Sequence, residues 1–232
     1  MADEVATDTF LDQRRKMVAV QLRRRGIRDE RVLAAMERVP RHVFVGRDFW
    51  SRAYDDDPLP IGQGQTVSQP YIVAAMLQAL GIRSENRVLE VGTGTGYEAA
   101  LLAELAREVI TIERHSALAD AAREILSQLG YCNVTVMEGD GTKGWAEAAP
   151  YDRIIVAAAS PRLPASLFEQ LKEGGKMILP IGSPELQSLV LVEKIKGQPE
   201  TLRLDGCRFV PLIGAEGFIS GPGEPGNYLP KP

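Results

Sequence analysis

Three acidic residues, each placed near the end of an apolar run, are the side chains of this sequence that could act together on one ligand. Glu90 stands within the first run, Val88–Val91, and Glu113 directly follows the second, Val109–Ile112. Asp140 comes shortly after a third run. If the runs are parallel strands, the three carboxylates meet at the sheet edge where open α/β proteins bind ligands. There Glu113 can accept hydrogen bonds from both ribose hydroxyls, and Asp140 can accept one from the exocyclic amine of an adenine.

Glycines alternate immediately after the first run, in the order Gly92-Thr93-Gly94-Thr95-Gly96-Tyr97. Glycine has no Cβ, so such a turn between a strand and a helix lets a nucleotide-like cofactor touch the backbone closely. Dinucleotide sites have the spacing G-x-G-x-x-G, whereas here the third glycine comes one residue early. The spacing resembles the first motif of S-adenosylmethionine-dependent methyltransferases more than a nicotinamide or flavin site. It predicts that Gly92, Gly94 and Gly96 bind this cofactor, and that Glu90 holds the ammonium of its methionine moiety.

The same residues also have ordinary structural explanations. Glu113 and Asp140 could each be a helix N-cap or a loop acid, and Gly139 and Gly141 alone indicate only a turn. A single acid in such a place would support no further conclusion. Three acids at successive strand ends favour a binding site.

Alternating helical and apolar runs predict the elements that hold these residues in place. The pattern is typical of a doubly wound, mostly parallel α/β sheet of the Rossmann-like class, covered on both faces. Two late strands, at 187–195 and 202–212 with a turn near Gly197-Gln198-Pro199, predict an antiparallel edge hairpin. The other predicted strands are 87–91, 108–112, 133–137, 152–158 and 175–181, and the predicted helices are 10–25, 29–38, 71–80 and 117–129.

The length of 232 residues suits one domain. We predict a single unit over 1–232, made of an N-terminal helical and covering segment (1–80), a cofactor-binding core (81–186), C-terminal strands (187–219) and a poorly ordered Gly/Pro-rich tail (220–232).

Composition limits the partners. Lys and Arg total 27 against 31 Asp and Glu, for a formal charge of −4, which argues against nucleic acid as the main partner. The two cysteines, Cys132 and Cys207, have no metal-binding spacing and are expected to be free thiols in a reducing cytosol. An acidic N-terminus without an apolar run predicts no signal peptide, and no run is long enough for a membrane helix. We therefore expect a cytoplasmic protein that binds neither a membrane nor a metal.

A second resemblance concerns the acceptor. The segment Gln65-Thr66-Val67-Ser68-Gln69-Pro70, within residues 54–76, resembles the signature of protein-L-isoaspartate O-methyltransferases. Similar stretches recur across most of the chain, at Val39–Val45, Thr111–Arg114, Gly139–Gly141 and Phe209–Leu212. This segment is more specific than the glycine turn, which many methyltransferases share.

The resemblance implies a repair activity. The family transfers a methyl group from S-adenosylmethionine to the free α-carboxylate of an L-isoaspartyl residue, and the ester then closes to a succinimide that reopens partly to aspartate. That carboxylate is already ionised at neutral pH, so no general base is needed and catalysis should come from positioning. By the same resemblance Ser68 orients the carboxylate, Thr66 and Val67 bind the cofactor with Gly141, and Thr66, Ser68 and Gln69 contact the substrate. Damaged proteins are the expected partners of a monomeric enzyme.

Several alternatives remain at this stage. Ser68 could instead be a helix N-cap before Pro70. His42 and His115 look structural. The chain could methylate another carboxylate or a small metabolite, could be a non-catalytic cofactor-binding module, or, against its glycine spacing, could be an NAD-dependent oxidoreductase. Two departures from the family pattern are Gly46, where a proline is usual, and the chain beyond Phe218.

Overall fold

The computed structural model describes residues 10–220 and 228–230. The N-terminal part is mostly helical, and its predicted first helix changes character along its length. An α-helix α1 over residues 10–16 continues as a π-helical stretch, Met17–Leu22, and a 3₁₀ turn, Arg23–Arg25. Helix α2 (Glu30–Arg38) begins at its predicted N-cap, because the Asp29 side chain accepts hydrogen bonds from the amides of Arg31 and Val32.

Two 3₁₀ segments and a small hairpin connect this part to the sheet. The 3₁₀ segments are Arg41–Phe44 and Arg47–Arg52. Strands β1 (Leu59–Gly62) and β2 (Gln65–Val67) pair in antiparallel fashion, and helix α3 (Pro70–Leu80) follows. The connecting segment at 54–69 thus contains a short ordered hairpin.

The core is a seven-stranded sheet in the order β5-β4-β3-β6-β7-β8-β9. The first five of these strands run parallel, and β8 and β9 are antiparallel, which confirms the predicted fold class and the edge hairpin. The strands are β3 (Arg87–Val91), β4 (Glu108–Glu113), β5 (Val134–Glu138), β6 (Tyr151–Val156), β7 (Leu171–Gly182), β8 (Gln187–Ile195) and β9 (Gln198–Cys207), and the helices between them are α4 (Tyr97–Leu105), α5 (Ser116–Gln128) and α6 (Ala165–Gln170).

Apolar side chains cover both faces of the sheet. Alternate residues of a strand point to opposite faces, so Val88 packs on one side and Leu89 on the other, both fully buried. Helices α2 to α5 contribute to the first cluster, whereas α6 packs in the second through Leu167. The parallel strands consequently place their carboxyl ends at one common edge.

The late strand was predicted with the wrong bounds. It runs from Gln198 to Cys207 rather than over 202–212. The turn consists of Lys196 and Gly197, both with positive φ, so pairing already begins at Gln198, and Pro199 is tolerated because β9 is an edge strand. Pairing ends when the Gln187 side chain bonds both backbone groups of Phe209, at 2.7 and 3.0 Å.

Beyond this point the chain turns over the carboxyl edge of the sheet. Ala159 exchanges backbone hydrogen bonds with Val210 and Leu212, at 2.8 and 2.7 Å. Two short strands, β10 (Phe218–Ser220) and β11 (Tyr228–Pro230), then pair in antiparallel fashion. The remaining residues of the predicted tail, 221–227 and 231–232, lie outside the described residues, as do residues 1–9.

Candidate active site

A cleft with about 840 Å³ of empty space lies at the carboxyl ends of β3, β4 and β6. Its wall contains most of the residues predicted to bind the cofactor, which the fold brings together from four separate segments. The predicted residues in the wall are Thr66, Val67, Ser68, Gly92, Gly94, Glu113 and Gly141. Glu90, Gln69, Gly96 and Asp140 are not in it.

The glycine turn forms the floor of the cleft. Gly92, Gly94 and Gly96 have φ values of +99°, +54° and +91°, a region that side chains with a Cβ rarely adopt. The amide of Gly92 donates to the Ile112 carbonyl at 2.9 Å, and that of Gly96 donates to Thr93 at 2.8 Å. The turn is therefore held by backbone bonds and leaves its surface open to a ligand.

Gly96 serves packing rather than the cleft. A Cβ on this residue would come within 3.2 Å of Leu126 and 3.4 Å of Ala122, both on α5. The third glycine of the motif thus lets α4 start close against α5, which holds the turn from behind.

Of the three acids predicted at the strand ends, Glu113 is the one that lines the cleft. It is 5% exposed, and its carboxylate accepts hydrogen bonds from the amides of Gly94 at 2.9 Å, Arg114 at 2.9 Å and His115 at 3.0 Å. These bonds couple the glycine turn to the start of α5. Because a carboxylate offers about four lone-pair sites, it can still accept a bond from a ligand hydroxyl.

Asp140 faces the neighbouring loop instead of the cleft wall. One of its oxygens accepts from the amide and hydroxyl of Thr142 at 3.0 and 2.6 Å, and the other accepts from Ala215 at 2.7 Å. Burial alone would raise the pKa of Asp140, but the hydrogen bonds from Thr142 and Ala215 hold it below its usual value. Its neighbour Gly141 does line the cleft and packs so closely that a Cβ would lie 2.5 Å from Val91.

Glu90 is fully buried behind the turn. Neither of its carboxylate oxygens has a hydrogen-bond partner among the described residues. Glu90 is therefore not exposed to the cleft, and the contact with a ligand ammonium that the motif predicted stays a prediction. Instead Glu98, in the first turn of α4, lines the cleft while being only 8% exposed, and its Oε1 is also without a partner.

A second groove, with about 1620 Å³ of empty space, adjoins the cleft. It runs between α3, the end of β9 and the segment Arg208–Val210, and Arg25 and Gln69 stand on its walls. The cleft and the groove have four lining residues in common, which form the wall between them: Thr66, Ser68, Ala157 and Val210.

Ser68 thus lies where the two spaces meet. It is partly buried, and its hydroxyl makes no hydrogen bond to another described residue. The alternative role as a helix cap is wrong, because Gln69 occupies the N-cap position of α3 and the Asp56 carboxylate accepts the Tyr71 amide at 3.0 Å. The Ser68 side chain is consequently free to meet a ligand.

A buried arginine, unnoticed in the sequence, holds the Ser68 backbone. Arg41 is 0% exposed and donates to the carbonyl of Ser68 at 2.8 Å and to that of Ala53 at 2.9 Å. Its guanidinium lies over the Tyr97 ring, 4.8 Å from the ring centre. The only signal for this residue was its place in the Val39–Val45 stretch, since an isolated arginine is usually a surface residue.

Gln69 supports the same segment rather than the cleft. Its amide donates to the backbone oxygen and the carboxylate of Asp56, both at 2.8 Å. Asp56 also pairs with Arg25, whose guanidinium lies 3.5 Å from the centre of the Tyr71 ring. This network ties the N-terminal helices to the start of α3 along the groove.

The remaining candidates lie apart from the cleft. His42 stacks on Phe10 with ring centres 4.0 Å apart and bonds the Tyr54 hydroxyl at 2.8 Å.

Within the described residues no group of three His, Cys, Asp or Glu is arranged to hold a metal ion. None of the described helices combines the length and the apolar character needed to cross a bilayer.

Comparison with known proteins gives one consistent family. A family model described as protein-L-isoaspartate(D-aspartate) O-methyltransferase (PCMT) matches residues 13–217. The protein-L-isoaspartate O-methyltransferase of Koribacter versatilis is 57% identical over 209 residues, which cover 90% of this chain and 94% of that protein. The protein of the same name from Methanoculleus marisnigri is 54% identical over 206 residues, covering 89% and 94%.

Solved structures agree with the sequence relatives. A protein-L-isoaspartate O-methyltransferase superposes with a TM-score of 0.81 at 31% identity and covers 88% of this chain and 67% of its own. A Plasmodium falciparum protein given the same activity, solved in complex with S-adenosyl-L-homocysteine, has a TM-score of 0.76 at 27% identity and covers 86% and 98%.

Proposed function

The chain belongs to the protein-L-isoaspartate(D-aspartate) O-methyltransferase family, and from this premise we propose that methyl transfer takes place at the wall between its cleft and its groove. The enzyme methylates the free α-carboxylate of L-isoaspartyl residues in damaged proteins. The resulting ester closes to a succinimide, which reopens partly to aspartate. S-adenosylmethionine is the cofactor and supplies a methyl group on a positively charged sulfur.

The observation that carries this proposal is the wall between two adjoining spaces. Thr66, Ser68, Ala157 and Val210 face both the cleft and the groove. A displacement at carbon requires the attacking oxygen and the leaving sulfur to lie in line, on opposite sides of the methyl group. A cleft that holds the donor beside a groove that holds the acceptor supports this arrangement.

The cleft residues fit the cofactor. The glycine turn lines the cleft with its backbone, and the Glu113 carboxylate retains capacity to accept a hydrogen bond from a ribose hydroxyl. We assign cofactor contacts to Thr66, Val67, Gly92, Gly94, Glu113 and Gly141. Gly96 and Asp140 act from behind the wall, by packing α4 on α5 and by fixing the loop at Ala215.

On the groove side we assign Ser68 to orient the substrate. Its unpartnered hydroxyl can donate one hydrogen bond to a carboxylate oxygen, and Arg41 fixes its backbone. Thr66 borders the same space, and Gln69 shapes it by holding Asp56. No general base enters the assignment, because an α-carboxylate is ionised at neutral pH.

Four further parts of the proposal are less specific. We propose a single methyltransferase domain over 1–232 with the segments predicted above. The net charge of −4 supports a partner other than nucleic acid. We also propose that the enzyme is a monomer and that it works in the cytoplasm, where unpaired thiols such as Cys132 and Cys207 persist.

One experiment tests the assignment directly. Transfer of tritiated methyl from S-adenosylmethionine is measured on an isoaspartyl peptide and on its aspartyl twin of the same sequence. We expect transfer to the isoaspartyl peptide alone, because only that peptide has an α-carboxylate at the altered position. Equal transfer to both peptides would indicate a less selective carboxyl methyltransferase, and transfer to neither would remove the assignment.

A further inference from the structure

Two carboxyl groups lie together at the back of the cleft without a partner. Glu98 is 8% exposed and lines the cleft, and Glu90 is fully buried behind it on the neighbouring strand. Oε1 of Glu98 and both carboxylate oxygens of Glu90 lack a hydrogen-bond partner among the described residues. Buried carboxylates are normally paired or hydrogen-bonded, so this pair requires a physical explanation.

No described basic side chain forms an ion pair with either group. Another acid, Glu113 on β4, is close enough for its charge to act on Glu90. The Thr111 hydroxyl lies close to Glu90 and shares a hydrogen bond of 2.6 Å with the Thr93 hydroxyl, in which either group can be the donor. Every neighbouring charge thus opposes ionisation of the pair.

The protonation of the pair follows from this environment. Burial raises the pKa of Glu98 to about 8. Burial, and then the proximity of Glu98, raise the pKa of Glu90 well above its usual value, although Thr111 lowers it somewhat. At neutral pH the pair in the protein alone therefore retains at least one proton.

We propose that Glu98 and Glu90 form a proton-holding pair that becomes the counter-charge for a cation of the methyl donor. When the cation enters the cleft, one O–H bond of the pair breaks. The proton passes to solvent and its electron pair stays on the carboxylate. The inference rests on the cofactor assigned above and does not depend on which acceptor is methylated.

The cofactor contains two cations of this kind, the sulfonium and the ammonium of its amino acid end. Either would be costly to bury beside neutral groups and is stabilised by a carboxylate within a few ångströms. S-adenosylhomocysteine retains only the ammonium, and methylthioadenosine has neither charge. Binding of these three ligands therefore distinguishes the ammonium from the sulfonium as the cation that the pair neutralises.

The test is isothermal titration calorimetry of the full chain, without peptide, in two buffers of different ionisation enthalpy. We expect close to one proton released per S-adenosylmethionine bound at pH 7, and none on binding of methylthioadenosine. If binding of S-adenosylhomocysteine also releases a proton, the pair neutralises the ammonium. If only S-adenosylmethionine releases a proton, the pair neutralises the sulfonium. Because one proton is released, affinity for S-adenosylmethionine should rise up to about tenfold per pH unit between roughly pH 6 and pH 8.

Isosteric variants isolate the pair. Glu98→Gln keeps the volume of the protonated acid and should fold, and we expect it to lose at least half of the proton release. The double variant with Glu90→Gln should lose all of it. Glu104→Gln, on the same helix but away from the cleft, is the matched control and should behave as the parent enzyme.

Two results would overturn the pair's role. One is binding of S-adenosylmethionine to the parent enzyme with no proton release at any pH tested. The other is unchanged release in Glu98→Gln. A failure of the proposed repair activity would give a different result. Methyl transfer to the isoaspartyl peptide would be absent, while cofactor binding and its proton release would be unchanged.

Discussion

The cleft and the groove share a wall but are built differently. A large part of the cleft wall comes from the turns at the carboxyl ends of β3, β4 and β6, the glycine turn among them, and the rest comes from residues 61–73 and 210–213. The groove is formed by side chains from distant elements, with Arg25 from the N-terminal part, α3, and the end of β9. A fixed ligand can be bound by a local backbone turn, whereas a variable polypeptide needs a surface assembled by the whole fold.

The largest expected effect concerns the cleft. Glu113→Ala removes the predicted ribose contacts and the acceptor for three backbone amides. Since a charge-assisted hydrogen bond contributes about 1.5–3 kcal/mol, we expect affinity for S-adenosylmethionine to fall on the order of 100-fold to 1000-fold. Calorimetric titration measures the change.

Glu138→Ala is the matched control, because Glu138 ends the adjacent strand and is exposed. Its affinity should stay within about twofold of the parent enzyme, as expected for an exposed site. If Glu113→Ala bound the cofactor normally while folded, the cleft would have to hold the ribose through other groups.

The next effect concerns the shared wall. Ser68→Ala removes one hydrogen bond to a charged oxygen, so we expect kcat to fall about 30-fold. Cofactor affinity should change little, because Ser68 is assigned to the acceptor. Steady-state methylation of the isoaspartyl peptide gives kcat, with Ser51→Ala, an exposed site outside both spaces, as the control. Unaltered turnover would show that Ser68 does not orient the carboxylate.

The smallest effect concerns the groove. Gln69→Ala releases Asp56 from two hydrogen bonds of 2.8 Å, which loosens the groove without touching the reacting atoms. We expect KM for the peptide to rise about fivefold with kcat nearly unchanged, consistent with roughly 1 kcal/mol. Gln128→Ala removes a comparable amide bond to Glu124 on α5 and should leave KM unaltered. A larger effect on kcat than on KM would instead indicate that Gln69 contacts the reacting groups.

The same contrast explains what the sequence could predict. The strand-turn-helix pattern around Gly92 and the spacing to Glu113 are local signals, and both led to residues of the cleft wall. Asp140 could not be placed in this way, because its partner Ala215 is 75 positions away in the chain. The direction of the Asp140 side chain depends on the loop that contains Ala215, and tertiary packing sets the path of that loop.

Residues missed in the sequence are those whose roles depend on burial. Glu98 lies in the first turn of α4, a helix that is apolar apart from Glu98 and Glu104, and an acid within such a run was the available signal. Arg41 looks like any surface arginine until the fold encloses it. Ser68 was found through resemblance alone, since a serine before a proline is equally consistent with a helix start.

The three amide bonds to Glu113 have a thermodynamic consequence. They fix the glycine turn and the first residues of α5 in the protein alone, so little chain ordering has to accompany ligand entry. The heat-capacity change on association should then reflect only the apolar surface that the ligand covers, with no contribution from folding of a loop.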